Sequence, residues 1–452
     1  EGIGVSIRPE RGNEDYTKIE TIVEGGPASK SGQVKSGDRI IGVAQDGEKM
    51  IDVIGWPSSE IVGLIRGKRG TKITVRLLAT GASMSQARNV SLVRDVIQEE
   101  DAGVRSRTVE LTRDGTKHVF GVLEIPSFYF DYRSRRAGAE YRSVSEDTAK
   151  ALESLKAQKV EGILIDLRND PGGSLEEVAR MLGQVIKSGP VVQIRDGNGN
   201  VSVYEDTDGG EQLYAGPMAV LINLASASAS EIYSAAIQDY ERGIIIGSTT
   251  TGKGTAQVQL DTLAHGQATL TQRKFYRVTG GSTQNKGVIP DIKLVDIYNE
   301  EFGERKSKNA LKWDTIPTAP FKRAGSTQPY VAKLSQASAQ RTLADSQFKY
   351  LEARTAINKK SADQKKVVLD IDQRRAELMD LEKQTLAVEN QRRVATGQVP
   401  YANWESYQAS IDALVESRAK MKAHLRPALP EEETFVTEAA NVLLDYAKLQ
   451  GR

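Results

Sequence analysis

The chain has 452 residues, 39% of them hydrophobic and 27% charged, a balance that excludes a disordered or fibrous protein. Lysine and arginine total 61 against 60 acidic residues, so no global positive charge attracts nucleic acid. No apolar run approaches the roughly 18 to 20 residues of a membrane span. The absence of cysteine excludes disulfides, thiolate metal sites and cysteine nucleophiles.

The first residues, EGIGVSIRPE, contain neither an initiator methionine nor an apolar targeting segment. We therefore expect a fragment or processed form of a longer protein. The three histidines, His118, His265 and His424, lack the spacing of a metal site and any obvious pairing with a serine. No metal site and no cofactor are predicted, and the base of a hydrolase would not be histidine.

Three regions differ in pattern, and we place them at residues 1–95, 96–298 and 299–452. In the first, short β-like runs at 4–7, 39–43 and 72–78 surround a helix-like piece at 58–65. This pattern predicts a small, partly open β domain.

In the second region, β-like runs at 119–125, 162–167 and 218–222 alternate with helical stretches. The last two runs are almost wholly apolar, as expected for strands covered by helices on both faces. The third region is rich in Lys, Arg, Glu, Gln and Ala. Its apolar residues recur at near-helical spacing without persistent heptads, which predicts a helical domain rather than a long coiled coil.

The glycine-flanked Lys253 in GSTTTGKG nearly matches a phosphate-binding loop. Gly254 stands where the Mg²⁺-binding hydroxyl should be. The residues that follow alternate like paired strands instead of opening a helix that would cradle phosphate. The sequence therefore argues against a nucleotide site and leaves Lys253 available for other chemistry.

Ser228 lies in ASASASE, where a predicted strand runs into a predicted helix. Small residues permit close backbone approach there, and the first N–H groups of a helix can stabilise an oxyanion. The alternative is purely structural, because Ser228 and Glu231 also fit the S-x-x-E capping box. We interpret Glu231 as such a cap and Asp239 as structural, since no histidine lies between them for a carboxylate to orient.

A second strand-to-helix junction contains Pro171, Gly172 and Gly173, followed by a helix capped by Ser174 and Glu177. Two such junctions in one α/β layer can bring backbone N–H groups together from both, as in an oxyanion hole. A glycine turn without function is the alternative.

Taken together, these motifs resemble the C-terminal processing peptidases, most closely the tail-specific proteases of bacterial envelopes. The resemblance covers GIGV and GGPASKSGQVKSGDRIIGV at the start, then IDLRNDPGGSL, SASASE, TTGKGTAQ and FYRVTGGSTQNKGVIPD. It implies an α+β protein with a PDZ-like β domain, a crotonase-like α/β serine peptidase core and a helical C-terminal domain.

By this resemblance Ser228 is the nucleophile, Lys253 the general base and Gln257 the support of the lysine. The oxyanion donors are then the backbone N–H of Ala229 and that of Gly172 or Gly173. Two features depart from the family: many relatives have an aromatic residue where Thr251 stands, and their large helical N-terminal region is missing. A lysine base must be kept uncharged by apolar surroundings, with no carboxylate to hold it as the ammonium.

The first residues resemble the carboxylate-binding loop of a PDZ domain. The expected substrate-binding residues are Gly2, Ile3, Gly4, Val5, Ile61, Val62 and Ile65. An apolar pocket of this kind predicts protein or peptide substrates with apolar C-termini. The family further implies a periplasmic location in the bacterial envelope, and an adaptor protein is a candidate partner.

The expected function is thus a serine endopeptidase that recognises C-termini through its PDZ domain and cleaves with a Ser/Lys dyad. An inactive, peptidase-like PDZ binding scaffold is the alternative. A crotonase-type acyl-CoA enzyme shares the expected core but needs neither the PDZ module nor the serine and lysine pair.

Overall fold

The computed structural model describes residues 1–10, 15–23, 25–97, 103–136, 138, 141–205, 212–260, 268–298, 303–366, 368–419, 421 and 428–451. The chain forms two compact units. The first comprises Glu1–Ala102 with Gln408–Pro427, and the second Gly103–Tyr407 with Ala428–Arg452.

An antiparallel sheet with strand order β1-β2-β3-β5-β6, and β4 beside β3, builds the first unit. Its strands and helices are β1 Val5–Pro9, β2 Thr17–Ile22, α1 Pro27–Ser31, β3 Arg39–Gln45, β4 Ile51–Asp52, α2 Ser58–Ile65, β5 Lys72–Leu78 and β6 Arg88–Val93. Alternate β5 residues Ile73, Val75 and Leu77 are fully buried in one core with Ile61 of α2. The β domain predicted from the sequence is confirmed, and β1 lies at an edge of the sheet.

A six-stranded sheet with order β16-β13-β12-β9-β8-β7 organises the second unit. Its strands are β7 Arg105–Arg113, β8 Thr116–Glu124, β9 Ile163–Asp166, β12 Met218–Ile222, β13 Ile244–Gly247 and β16 Ile292–Lys293. All neighbours pair in parallel except β7 with β8. The carboxyl ends of β9, β12 and β13 therefore meet at one edge.

Helices cover both faces of this sheet, as the apolar strands predict. The helices of one face are α4 Val144–Ala157, α5 Leu175–Gly183 and α6 Ala229–Asp239, preceded in the chain by the short α3 Tyr132–Arg136. In β12, Val220 faces the core that contains α5 and α6, while its neighbour Leu221 faces a second core that contains Leu443. Because side chains alternate along a strand, this division shows that α6, which begins shortly after the carboxyl end of β12, packs on the face towards which Val220 points.

A second, four-stranded antiparallel sheet has the order β11-β10-β15-β14. Its strands are β10 Pro190–Asp196, β11 Val201–Glu205, β14 Thr255–Leu260 and β15 Ala268–Tyr276. The paired strands predicted after Lys253 are confirmed as β14 and β15, and this pairing fixes the start of β14 next to the lysine turn.

The C-terminal region is helical, as predicted. Its helices are α7 Gln328–Ala344, α8 Ser346–Ala362, α9 Ile371–Ala395, α10 Trp404–Ala419 and α11 Pro430–Leu449. Helix α11 supplies more residues to the second core of the six-stranded sheet than any other described element, with Val442 and Leu443 fully buried. No described helix combines the length and hydropathy needed to cross a bilayer.

Candidate active site

Ser228 occupies the turn between β12 and α6, as the N-terminal capping residue of the helix. Its φ of 57° lies in the left-handed region, which is costly for a residue with a Cβ. Neighbouring bonds hold the turn: the N–H of Ala227 donates to the carbonyl of Asp170 at 3.0 Å, and the Ser226 hydroxyl donates to the Leu167 carbonyl at 2.7 Å. Ser228 is half-buried, and a strained serine at a strand-to-helix turn is a backbone arrangement typical of serine nucleophiles.

Lys253 lies in the turn between β13 and β14, flanked by Gly252 with a φ of 87° and by Gly254. A Cβ on Gly254 would come within 2.5 Å of the Gln284 backbone nitrogen, so this turn requires glycine. The lysine side chain is half-buried, and no described acid forms an ion pair with it. Ser228 Oγ and Lys253 Nζ are not hydrogen-bonded to each other in this structure. Such contacts are often loose without substrate.

The fully buried carboxylate of Glu231 connects the two turns. Its Oε2 accepts the backbone N–H groups of Ser228 and Lys253, each at 2.9 Å. Its Oε1 accepts the Gly252 N–H at 2.7 Å and the Thr250 hydroxyl at 2.5 Å. Burial raises the pKa of Glu231, against the opposing effect of these donors. Glu231 therefore caps α6 as predicted and also anchors the lysine turn, a role that the sequence did not indicate.

The glycine turn after β9 lies directly against the serine turn. A Cβ on Gly172 would fall within 2.8 Å of the Ala229 nitrogen and of the Ser228 Cβ. The N–H of Gly172 donates to Asp170 Oδ1 at 2.7 Å and is therefore occupied. No described group accepts the N–H of Gly173 or that of Ala229. Of the two glycines considered as oxyanion donors, Gly173 is the one left available.

Gln257 lies on β14, exposed, with its amide 3.5 Å from the Thr271 hydroxyl on β15. It has no hydrogen bond to Lys253, so its support of the lysine stays a prediction. Asp239, at the end of α6, instead forms a bidentate ion pair with Arg277. That contact gives Asp239 a structural role in joining α6 to the chain after β15.

Of the three histidines, only His118 lies within the described residues. His118, on β8, has its Nδ1 2.8 Å from the carboxylate of Glu161. His265 and His424 lie outside the described residues. Across the described ranges, no cluster of three or more potential ligands could hold a metal ion.

In the first unit, the expected carboxylate-binding loop precedes the edge strand β1. Gly2 bridges to Asp95, and the Ile3 carbonyl accepts the Ala28 N–H at 2.8 Å. The N–H groups of Ile3 and Gly4 have no acceptor among the described residues. A loop with free N–H groups beside an open strand edge can receive a chain terminus.

The predicted pocket residues of helix α2 differ in how far they are buried. Ile61 and Ile65 are buried within the core of the unit, whereas Val62 is half-buried, as is Val5 on β1. Because residues four apart share one face of a helix, Ile61 and Ile65 both turn inward. Val62 and Val5 are the partly exposed members of the predicted set, and the role of all of them in binding stays a prediction.

Three family models match the chain: PDZ domain over residues 1–79, Peptidase family S41 over 119–294, and C-terminal domain of tail specific protease over 297–448. A tail-specific protease of Haemophilus influenzae is 39% identical over 390 residues, covering 83% of this chain and 53% of that protein. The carboxy-terminal processing protease CtpA of Bacillus subtilis is 30% identical over 299 residues, covering 65% and 56%. The chain spans about half the length of these curated relatives.

Two solved structures are also similar. The PDZ domain of a carboxy-terminal protease from Vibrio cholerae, in complex with peptide, is 42% identical and covers 21% of this chain and 92% of that one, with a TM-score of 0.19. The photosystem II D1 C-terminal processing protease is 28% identical and covers 65% and 72%, with a TM-score of 0.38.

The chain belongs to peptidase family S41, a family of serine-type proteases. Within the chain, a PDZ domain precedes the peptidase domain and a C-terminal domain of tail specific protease follows it, and the chain is similar to the tail-specific protease of Haemophilus influenzae. The resemblance noted from the sequence motifs is thereby confirmed.

Proposed function

We propose that this chain is a serine endopeptidase in which Ser228 is the nucleophile and Lys253 the general base. The observation that carries the proposal is the backbone strain at Ser228 beside two N–H groups, of Gly173 and Ala229, that have no acceptor in the described structure. Strain of this kind clusters at functional sites, and paired free donors beside a hydroxyl suit an oxyanion.

Lys253 suits the role of base because the residue is half-buried and its amine has no acid partner among the described residues. In its neutral form it takes the proton of the Ser228 hydroxyl as Oγ attacks the substrate carbonyl. The carbonyl oxygen becomes negative and receives the N–H groups of Gly173 and Ala229. The protonated lysine then donates to the departing amine, and water releases the acyl group from Ser228.

Gln257 is part of this proposal in a secondary role. Its long-range hydrogen bond to Thr271, at 3.5 Å, is weak, and the side chain is exposed. Rotation of the side chains of Gln257 and Lys253 is needed before the amide oxygen can accept from the amine. Such a contact would orient the lysine without adding a countercharge.

For substrate capture we propose that the PDZ domain binds apolar C-termini. The substrate adds as a strand to the free edge of β1, and its terminal carboxylate receives the N–H groups of Ile3 and Gly4. The half-buried Val5 and Val62 provide apolar contacts for the last side chain. A pocket without a countercharge disfavours an acidic terminal residue.

The resemblance to envelope proteases extends the proposal to a periplasmic location and to an adaptor protein as a candidate partner. Both rest on the family and on the Haemophilus influenzae relative. Immunodetection of the tagged natural protein after osmotic shock tests the location. Recovery in the spheroplast fraction alone would contradict it.

An inactive binding scaffold is the second candidate, because the Ser228 and Lys253 side chains are not hydrogen-bonded in this structure. A gel assay with an unfolded protein that ends in apolar residues separates the two. The wild-type chain should cleave it to discrete products, while Ser228→Ala should leave it intact with the same thermal stability. Binding without cleavage by the wild type would favour the scaffold.

A further inference from the structure

Asp170, between β9 and α5, lies behind the glycine turn and is completely buried. Its Oδ1 accepts the Gly172 N–H at 2.7 Å. Its Oδ2 is buried and has no hydrogen-bond partner among the described residues. A buried carboxyl with one oxygen in use and the other without a partner needs an explanation, because unpaired buried polar atoms are costly.

The main chain of Asp170 also joins the glycine turn to the serine turn. Its carbonyl oxygen accepts the N–H of Ala227 and the hydroxyl of Ser230, each at 3.0 Å. Asp170 thus contacts residues on both sides of Ser228. Since its side chain occupies the Gly172 N–H, the available donor of the turn is the next one, that of Gly173.

We propose that Asp170 is a positioning residue that acts in its uncharged, protonated form. Its carboxyl group fixes the Gly172 amide so that the Gly173 N–H remains directed at the substrate carbonyl. When this carboxyl group ionises, its negative charge opposes the formation of the oxyanion. This inference rests on the proposed function. It adds a residue that touches no reacting atom but sets the geometry and local charge of the oxyanion site.

The charged side chains on the elements around Asp170 interact with other residues. Arg168, at the end of β9, pairs with Asp166 at 2.6 Å, and Glu177 of α5 accepts the Ser145 N–H at 3.0 Å. Glu231 of α6 accepts the amides of the lysine turn, and Lys253 itself pairs with no described acid. No described cation pairs with Asp170, and burial raises its pKa to about 7.

A negative charge on the Asp170 side chain would lie next to the glycine turn, in which the Gly173 N–H receives the oxyanion. Repulsion at that range in a largely buried site should slow the chemical step by roughly tenfold. Substrate binding, which precedes the negative charge, should be little affected. The effect therefore belongs in kcat rather than in KM.

The test compares wild type with Asp170→Asn, which keeps an oxygen acceptor for Gly172 but cannot ionise. Initial rates on the unfolded protein substrate are measured at about pH 6 and about pH 8.5, on either side of the pKa of about 7. The kcat ratio of Asp170→Asn to wild type should rise from near one to roughly ten across this interval, at unchanged KM.

A matched control is Asp291→Asn. Asp291 is half-buried, burial raises its pKa, and its carboxyl group accepts a backbone N–H, that of Ile245, at 2.8 Å. Its kcat ratio should not change with pH. Asp170→Ala, which removes the acceptor, should lower kcat by roughly a hundredfold at both pH values.

A ratio for Asp170→Asn that stays flat or falls with pH would overturn the inference, as would wild-type kcat in Asp170→Ala. If Asp170→Asn does not fold, the pH dependence of the wild-type kcat tests the inference. The wild-type kcat should level off or fall above about pH 7, and a steady rise beyond that pH would contradict the inference. Ser228→Ala assayed in parallel separates the two proposals, because residual turnover by that variant defeats the proposed function itself.

Discussion

Oε2 of Glu231 accepts the backbone N–H of Lys253 at 2.9 Å, across 22 positions of sequence. The same oxygen accepts the N–H of Ser228, so a single carboxylate fixes the backbone of the proposed nucleophile relative to that of the proposed base. Glu231 thereby holds together the two turns from which the hydroxyl and the amine extend.

Glu231→Gln should therefore impair catalysis more than its similar size suggests. Each carboxylate oxygen of Glu231 accepts two hydrogen bonds. In the glutamine variant an NH₂ group replaces one of these oxygens, and this group would face two donors from which it cannot accept. We expect kcat to fall at least about tenfold and the free energy of unfolding to drop by about 1 to 3 kcal/mol. Steady-state kinetics and urea unfolding measure the two effects.

The exposed Glu153→Gln on α4 provides the matched control and should change neither quantity. Wild-type kcat in Glu231→Gln would show that the carboxylate does not position the two turns.

Local pattern was sufficient for several elements. Lys72–Leu78 alternates apolar and polar residues, and Ser58–Ile65 has apolar residues on one helical face, so both were predicted with the bounds that the structure has. The contacts of Glu231 were not predictable in this way. Its partners at Thr250, Gly252 and Lys253 follow β13, and nothing in the capping box indicates where that strand will lie.

The contacts of other site residues could not be predicted from local sequence pattern either. The resemblance supplied Gln257 as a support for Lys253, which stays a prediction; the pairing register of β14 and β15, which the sequence does not specify, places Gln257 opposite Thr271. The turn motif also left Gly172 and Gly173 as equal candidates. The choice depends on a side chain, that of Asp170, whose rotamer the sequence does not specify.

Gly172→Ala should abolish activity. The new Cβ would lie 2.8 Å from the Ala227 carbonyl, the Ala229 nitrogen and the Ser228 Cβ, so the two turns must separate. Gly115→Ala in the β7–β8 hairpin is the control, because its positive φ of 75° adds a similar strain without any atom within 4 Å. Cleavage assays at equal folded fraction should find Gly115→Ala active, and an active Gly172→Ala would disprove the close approach.

Asp170 should also affect stability. Its pKa is raised from 3.8 to about 7, so the native chain keeps a proton that the unfolded chain releases within this window. The stabilisation is complete below the lower value and is lost as pH rises through about 7. Wild type should lose up to about 4 kcal/mol of unfolding free energy over this range relative to Asp170→Asn.

Urea unfolding at several pH values measures this difference. The exposed Asp114→Asn should follow the wild-type curve. Parallel curves for wild type and Asp170→Asn would contradict the raised pKa.

Recognition of C-termini should depend on Val62. Val62→Asp puts a charge beside the proposed apolar pocket and should weaken binding of a fluorescent peptide with an apolar C-terminus by roughly tenfold or more. Ser59→Asp adds the same charge at an exposed position of α2 and should have little effect. Anisotropy titrations in the Ser228→Ala background avoid cleavage during the measurement.

The same titration with Asp-Asp appended to the peptide, or with its carboxylate amidated, should also show weak binding. Equal affinity for all of these peptides would mean that the domain does not read the terminus.

The proposed activation of Ser228 by an amine at position 253 can be tested chemically, because the chain contains no cysteine. Lys253→Cys introduces the single thiol, which 2-bromoethylamine converts to a lysine analogue and iodoacetamide to a neutral amide. We predict that Lys253→Cys is inactive on the unfolded protein substrate, that aminoethylation restores cleavage, and that carbamidomethylation does not. Cleavage by unmodified Lys253→Cys, or no recovery after complete aminoethylation of the folded protein, would contradict the mechanism.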